Sequence, residues 1–232
     1  MTTTLQQPQA TEIFYPCSDG EPVAESFVHL YALFATLEVL RQYLLGQQAT
    51  VLGNQFLYYA QGFPKLRVAP DVMVIFNVAP GGRDNYKIWE EGVVPTVIFE
   101  MTSKSTKNKD LDEKKTLYEG LGVQEYWLFD PRGEWIEGQL RGYRLRDEEY
   151  QPITDNRSQP LQLQLQAEGQ LIGFYREDTG EKLLIPQELA DALVSEKVAR
   201  QQAEEARQQA EEENEKLKAQ LRTLGADPDA DP

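Results

Sequence analysis

The sequence predicts an α/β (α+β) sandwich followed by a long helical tail, and three observations carry that prediction. Apolar residues recur at helical spacing early in the chain, at Phe27, Leu30, Phe34, Leu37, Leu40 and Leu44. From Thr50 the period changes to short β-branched and aromatic runs separated by turn residues. Near residue 187 the composition shifts again, to Ala, Glu, Gln, Lys, Arg and Leu, with no glycine until Gly225.

Taken in order, residues 1–20 read as a flexible arm, and EPVAESFVHLYALFATLEVLRQYLL reads as an amphipathic helix. The runs VLGNQFLYYA, RVAPDVMVIFNV, TVIFEMT and EYWLFD read as strands. Between the last two, KSTKNKDLDEKKTLYEGLG has a polar start, apolar Leu111, Leu117 and Tyr118, and a stop at Gly120 to Gly122, which predicts a second helix. Past Asp130, RGYRLRDEEYQPI predicts a hairpin turning near Asp147 to Glu149, and LQLQLQ alternates as a half-exposed strand expected to extend or cover the sheet edge. The main domain is placed at 21–186, the helical tail at 187–224 and a disordered end at 225–232. Within the tail, Ala199, Ala203, Ala206, Ala210, Leu217, Leu221 and Leu224 recur at spacings of three and four with a break near Glu213 and Asn214. A self-associating coiled coil and a solvated single helix held by i,i+4 ion pairs both fit that pattern.

Charge and composition exclude several classes. Against 38 Asp and Glu stand 23 Lys and Arg, a net charge of −15, so long-range attraction to nucleic acid or anionic lipid is not expected and any such contact must be a local patch. Cys17 is the only cysteine, which excludes an intrachain disulfide and suits a reducing, cytoplasmic setting. The opening MTTTLQQPQATE lacks the basic start and apolar run of a signal peptide. No apolar run approaches the roughly 18 residues that span a bilayer, so no membrane passage is expected.

The sharpest chemical feature is acid inside apolar strands. Asp71 follows Pro70 at the start of VMVIFNV, and Glu100 closes VVPTVIFE, sharing a strand face with Ile98 and Thr102. A half-buried carboxylate costs several kcal/mol unless it is protonated or partnered. Two carboxylates converging from strand ends would suit Mg²⁺, whereas Glu100 paired with an internal Lys or Arg would need no metal. Asp110, Lys114 and Tyr118 follow at i, i+4 and i+8, so Lys114 can lean over the carboxylates or simply pair with Asp110. Lys104, Lys107, Lys109, Lys114 and Lys115 are five of the eleven lysines and form the one basic island, which fits either phosphate contacts or a solvated helix face. Glu25 and His29 are four apart on the first helix, as a third acidic ligand or as a dipole-complementing acid beside a hydrogen-bonded histidine. With one histidine, a His-rich zinc site is excluded, and Gly81-Gly82 fits neither phosphate-loop nor dinucleotide patterns.

DGEPVAESFVH, YYAQG, VAPDVMVIFNV and YKIWEEGVVPTVIFEMTSKSTKNKDLDEKKTLYEGLGVQEYWLFDP resemble the Uma-two family of restriction endonucleases, a branch of the PD-(D/E)XK nuclease superfamily, over about Asp19 to Gly142. The resemblance implies a core of mixed four-stranded sheet flanked by helices and Mg²⁺-dependent phosphodiester hydrolysis, with Mn²⁺ as a substitute metal. It implies that Asp71 is the aspartate of the PD motif, Glu100 the central acid and Glu25 the acid of the first core helix, all three at the metal. Thr102 departs from the pattern, which expects lysine there, so Lys114 in the D-x-x-x-K spacing takes that role, with Lys104 and Lys115 as fallbacks. The implied partners are DNA and, through the tail, further copies in a homo-oligomer such as a dimer. The alternative is a catalytically inactive nuclease-fold scaffold that self-associates or binds a partner through its C-terminal helix.

Overall fold

A computed structural model describes residues 13–20, 25–103, 106 and 109–223. The end expected to be disordered, 225–232, and the first part of the arm lie outside the described residues. The chain divides into two compact units, Met1–Leu183 and Leu184–Pro232.

The first unit opens with α1 (Phe27–Tyr43), capped by Ser26, whose Oγ accepts from the His29 amide at 3.3 Å. Five strands follow: β1 (Ala49–Gly53), β2 (Leu57–Tyr58), β3 (Arg67–Val68), β4 (Val72–Phe76) and β5 (Tyr86–Lys87). After the short α2 (Ile88–Glu91) come β6 (Val97–Met101), a π-helical turn (Lys109–Lys114) continuing into α3 (Lys115–Leu121), and β7 (Glu125–Phe129). The remaining strands are β8 (Leu140–Arg146), β9 (Glu149–Ile153), β10 (Arg157–Ser158), β11 (Leu163–Glu168), β12 (Leu171–Arg176) and β13 (Lys182–Leu183).

The main sheet has the order β1-β4-β6-β7-β8-β9, so the expected four-strand core is present and the predicted hairpin extends it. All its neighbours are antiparallel except β6 and β7, which pair in parallel and need the crossover that the π turn and α3 provide. That crossover sets the site, because it returns a helix over the end of β6. The hairpin turns at Asp147 and Glu148, both at positive φ, as a two-residue turn of right twist requires.

On one face of the sheet, Ile98, Tyr126 and Leu128 pack with Tyr118 of α3 and with Leu57 and Tyr86 of the three-stranded sheet β3-β2-β5. On the other, Phe99 meets Phe174 of β12 edge-on, within the four-stranded sheet β10-β11-β12-β13. The alternation read from TVIFEMT therefore holds, and Glu100 turns with Ile98 toward α3.

Four expectations change. VLGNQFLYYA and RVAPDVMVIFNV each split between the main and small sheets, since Asn54 at positive φ and the Pro70-Asp71 turn break them. The buried face of α1 is His29, Ala32, Leu33, Thr36, Leu37 and Leu40, while Phe27 and Phe34 are exposed; the small residues allow closer packing on the sheet than the aromatic stripe does. LQLQLQ lies in the second sheet rather than at the edge of the first. Tyr15, assigned to the arm, is held against the Tyr58 and Trp89 rings, and its hydroxyl accepts from the Gly62 amide at 2.6 Å. Beside it, Tyr58 donates its hydroxyl to the Pro16 carbonyl, so this part of the arm is fastened to the domain.

The second unit carries α4 (Pro186–Thr223), whose Arg207 pairs with Glu204 at 3.1 Å and Glu211 at 3.4 Å along the helix surface. Leu193, Val194 and Val198 are exposed on it. No helix among the described residues is long and apolar enough to cross a membrane.

Candidate active site

Antiparallel pairing of β4 with β6 matches Val72 to Phe99, which brings the start of one strand beside the end of the other. Asp71 and Glu100 are therefore neighbours in space. Asp71 Oδ2 accepts from the Met101 amide at 2.6 Å, tying the aspartate to the backbone next to Glu100.

Glu100 is 1% exposed, deeper than the half-burial its strand position predicts, and the crossover explains why. Lys114 Nζ lies 2.7 Å from its Oε2, and Tyr118 donates its hydroxyl to Oε1 at 2.8 Å. The same ammonium lies 3.1 Å from Asp110 Oδ1. Lys114 thus does both things the sequence leaves open, leaning over Glu100 and pairing with Asp110. Tyr126 of β7 donates to the Asp110 carbonyl at 2.9 Å and pins the π turn to the sheet. Such turns are uncommon and concentrate at functional sites.

Three buried or nearly buried carboxylates, Asp71, Glu100 and Asp110, face one ammonium. Burial pushes the Glu100 carboxyl up to about 8; Asp71 and Asp110 add to the rise, and Lys114 pulls against it. Burial alone would depress Lys114, but Glu100, Asp110 and Asp71 more than offset that and hold its pKa above the ordinary lysine value. Lys114 is therefore a permanent cation, and Glu100 is the group whose charge is at stake. Burial also lowers His29, yet the facing Asp71, with Glu25 and Glu100, leaves its pKa raised. Tyr118, raised by burial and by Glu100, stays a neutral donor.

Of the residues singled out in the sequence, Asp71, Glu100 and Lys114 come together. Glu25 stands apart: it precedes the Ser26 cap rather than lying on α1, and the His29 ring lies between the two acids, with Nδ1 3.9 Å from Glu25 and Nε2 3.6 Å from Asp71. Lys115 is engaged elsewhere, its ammonium 5.0 Å from the Tyr143 ring centre. Lys104, Lys107 and the side chain of Lys109 lie outside the described residues. Sequence reasoning gives Tyr118 only a helix-core role; its hydroxyl, which needs a partner once buried, is the signal that points to more. It also misses Lys65 and Arg67, which only the folded chain brings near Lys114.

Two clefts flank the cluster. One of about 680 Å³ is lined by His29, Thr102, Arg132 and Trp135 among others. The other, about 580 Å³, reaches Lys114 and is lined by Lys65, Arg67, Phe56 and Tyr59.

Among the described residues no group of three or more His, Cys, Asp or Glu side chains converges on one metal position. The donor chemistry of Asp71 and Glu100 nonetheless fits one hard divalent cation. Each carboxylate oxygen has two lone pairs, so the partners named above leave acceptor capacity on both residues. The excess of negative charge around Lys114 would be offset by the cation.

A mixed sheet with a parallel crossover, two acids at adjoining strand ends and a lysine over the glutamate define an α/β protein with an acidic, lysine-bearing site. The family model Uma2, described as "Putative restriction endonuclease", matches residues 2–173, and the chain belongs to that family. Among solved structures it is similar to one described as a "putative nuclease belonging to DUF820" from Anabaena variabilis, at 14% identity and a TM-score of 0.42, over 61% of this chain and 76% of that one. No curated protein matches the chain.

Proposed function

We propose that the chain is a divalent-metal-dependent endonuclease that hydrolyses phosphodiester bonds of DNA, with Mg²⁺ as the metal and Mn²⁺ as a substitute. The observation that supports it is the Lys114 ammonium 2.7 Å from buried Glu100, beside Asp71. Asp71 and Glu100 would hold the cation, which supplies Lewis-acid stabilisation of charge on the phosphoryl oxygens. Lys114 keeps its proton, so it acts as a fixed positive charge and donor toward the attacking water or the phosphoryl group, not as the base. Tyr118 holds Oε1 of Glu100, leaving the carboxylate one orientation. Glu25 lies across the His29 ring from Asp71 and reaches the metal shell only through intervening groups. The exposed Cys17 suits the reducing cytoplasm.

The test is nicking of supercoiled plasmid with Mg²⁺ or Mn²⁺ by the wild type, Asp71→Asn, Glu100→Gln and Lys114→Ala. Each substitution is expected to lower the rate by about a hundredfold or more. Equal nicking by all four proteins would overturn the assignment. A second reading, association through α4, is favoured by its exposed Leu193, Val194 and Val198 and is independent of catalysis. Sedimentation of the full chain distinguishes a monomer from a homodimer or larger oligomer.

A further inference from the structure

The cleft beside Thr102 differs in character from the one beside Lys114, and the difference bears on the substrate. Lys65, Arg67 and Lys114 outnumber the one acid, Glu113, in the second cleft, which suits phosphates. In the first, Arg132 stands against Glu25 and Glu134, so an anion is not its natural occupant. Its walls include Trp135, Pro131 and Val28, which suit a flat, neutral ring.

Two polar atoms in that cleft's lining residues are buried without a hydrogen-bond partner: Thr102 Oγ1 and His29 Nδ1. These residues are 3% and 7% exposed. Buried polar groups of this kind are normally satisfied; the Thr102 hydroxyl can donate or accept, and His29 Nδ1 accepts while the ring is neutral and donates once it is protonated. The edge of a nucleobase offers donors and acceptors side by side. In a duplex that edge is consumed by the opposite strand.

The wall bearing Trp135 is set in advance. Asp130, 0% exposed, accepts from the amides of Arg132 at 3.1 Å, Gly133 at 3.0 Å and Ile136 at 3.0 Å, and also from that of Trp135. Gly133 takes a positive φ of 67° that lets the loop close on this carboxylate. A loop wound so tightly around one buried acid carries little ordering cost when a ligand stacks on it. The cleft also adjoins the reacting centre, since His29, which lines it, faces Asp71 through its other nitrogen at 3.6 Å.

We propose that the cleft formed by Trp135, Pro131, Thr102 and His29 receives one unpaired nucleobase of the substrate strand, stacked on Trp135 with its edge toward Thr102 and His29. The enzyme is then selective for DNA that is single-stranded or locally unpaired next to the cut. The phosphates on the other side of the cut run along Lys65 and Arg67. The inference rests on the nuclease reading for its biological meaning, but its test does not.

The test is fluorescence anisotropy of the full chain with labelled oligonucleotides, single-stranded and duplex of equal length, in EDTA so that nothing is cut. The wild type is expected to bind the single strand at least tenfold more tightly, and Trp135→Ala to lose about tenfold in single-strand affinity with little change for duplex. Thr102→Val, which removes the hydroxyl and keeps the shape, is expected to lose a few-fold and decides the matter if Trp135→Ala melts early. Equal affinity for the two DNA forms, or a preference that survives both substitutions, overturns the proposal. Because no metal is present, a strand preference without plasmid nicking would retire the nuclease reading alone, and nicking without the preference would retire this one alone.

Discussion

Lys114 meets Oε2 of Glu100 at 2.7 Å although 14 positions separate them in the chain. The position two residues after the glutamate holds Thr102, and the ammonium beside Glu100 comes from the crossover instead. Removing the ammonium leaves Glu100 buried with only Tyr118 and pushes it further toward the protonated form. At about pH 9, where Glu100 is ionised, Lys114→Met is expected to cost about 3–5 kcal/mol, the usual penalty for breaking a buried pair from one side. Combining it with Glu100→Gln should recover much of that loss, with both read from denaturant melts. A double variant as unstable as the single would mean that the lysine stabilises by packing rather than by charge.

Glu100 also predicts how stability depends on pH in the absence of metal. Its folded pKa is raised from 4.5 to about 8, so the folded state keeps a proton that the unfolded chain has released. That contribution is complete below pH 4.5 and is lost as pH rises toward 8. His29, also raised, acts with the same sign above its ordinary 6.5. The melting temperature in EDTA should therefore fall between about pH 5 and pH 8, and Glu100→Gln should flatten most of the decline. Identical slopes in the two proteins would show that Glu100 titrates as an ordinary carboxyl.

Much of this arrangement is legible in the sequence, for identifiable reasons. The β4 and β6 strands are short and apolar with one acid beside or within each, and strand alternation correctly turns Glu100 toward Ile98 and away from Phe99. The i,i+4 spacing of Asp110 and Lys114 is visible, but the π turn that carries them is not, because a regular helix gives nearly the same apolar pattern. Phe27 and Phe34 mislead any reading of α1 that weights large residues, since Ala32, Ala35 and Thr36 make the contact. The Lys65 and Arg67 groove is illegible, because it depends on the small sheet folding beside the crossover.

Metal binding should be coupled to proton release. A cation held by Asp71 and Glu100 competes with the proton on Glu100, so affinity is expected to rise with pH through the same interval. Thermal shift with Mg²⁺ or Mn²⁺ should accordingly be larger at about pH 8 than at about pH 6, and absent in Asp71→Asn. A shift that is equal at both pH values would place the ion elsewhere. The experiment needs no cleavage and so separates binding from catalysis.

Two glycines offer opposite expectations from one substitution. Gly142 of β8 pairs with Trp127 of β7, and a Cβ there would stand 2.6 Å from the indole ring. Trp127 is 0% exposed and donates Nε1 to Glu125 at 3.1 Å, while Arg144 holds that glutamate at 2.8 Å, so the ring has nowhere to retreat. Gly142→Ala is expected to cost about 1–3 kcal/mol. A methyl group added at Gly120 of α3 would meet nothing within 4 Å, and the residue has no positive φ. Gly120→Ala should therefore stabilise by about 0.5–1 kcal/mol through helix propensity and lost unfolded-state freedom. Paired denaturant melts read both. A neutral Gly142→Ala would mean that β8 can move away from β7, and the buried Glu125-Arg144 pair would then have to yield with it.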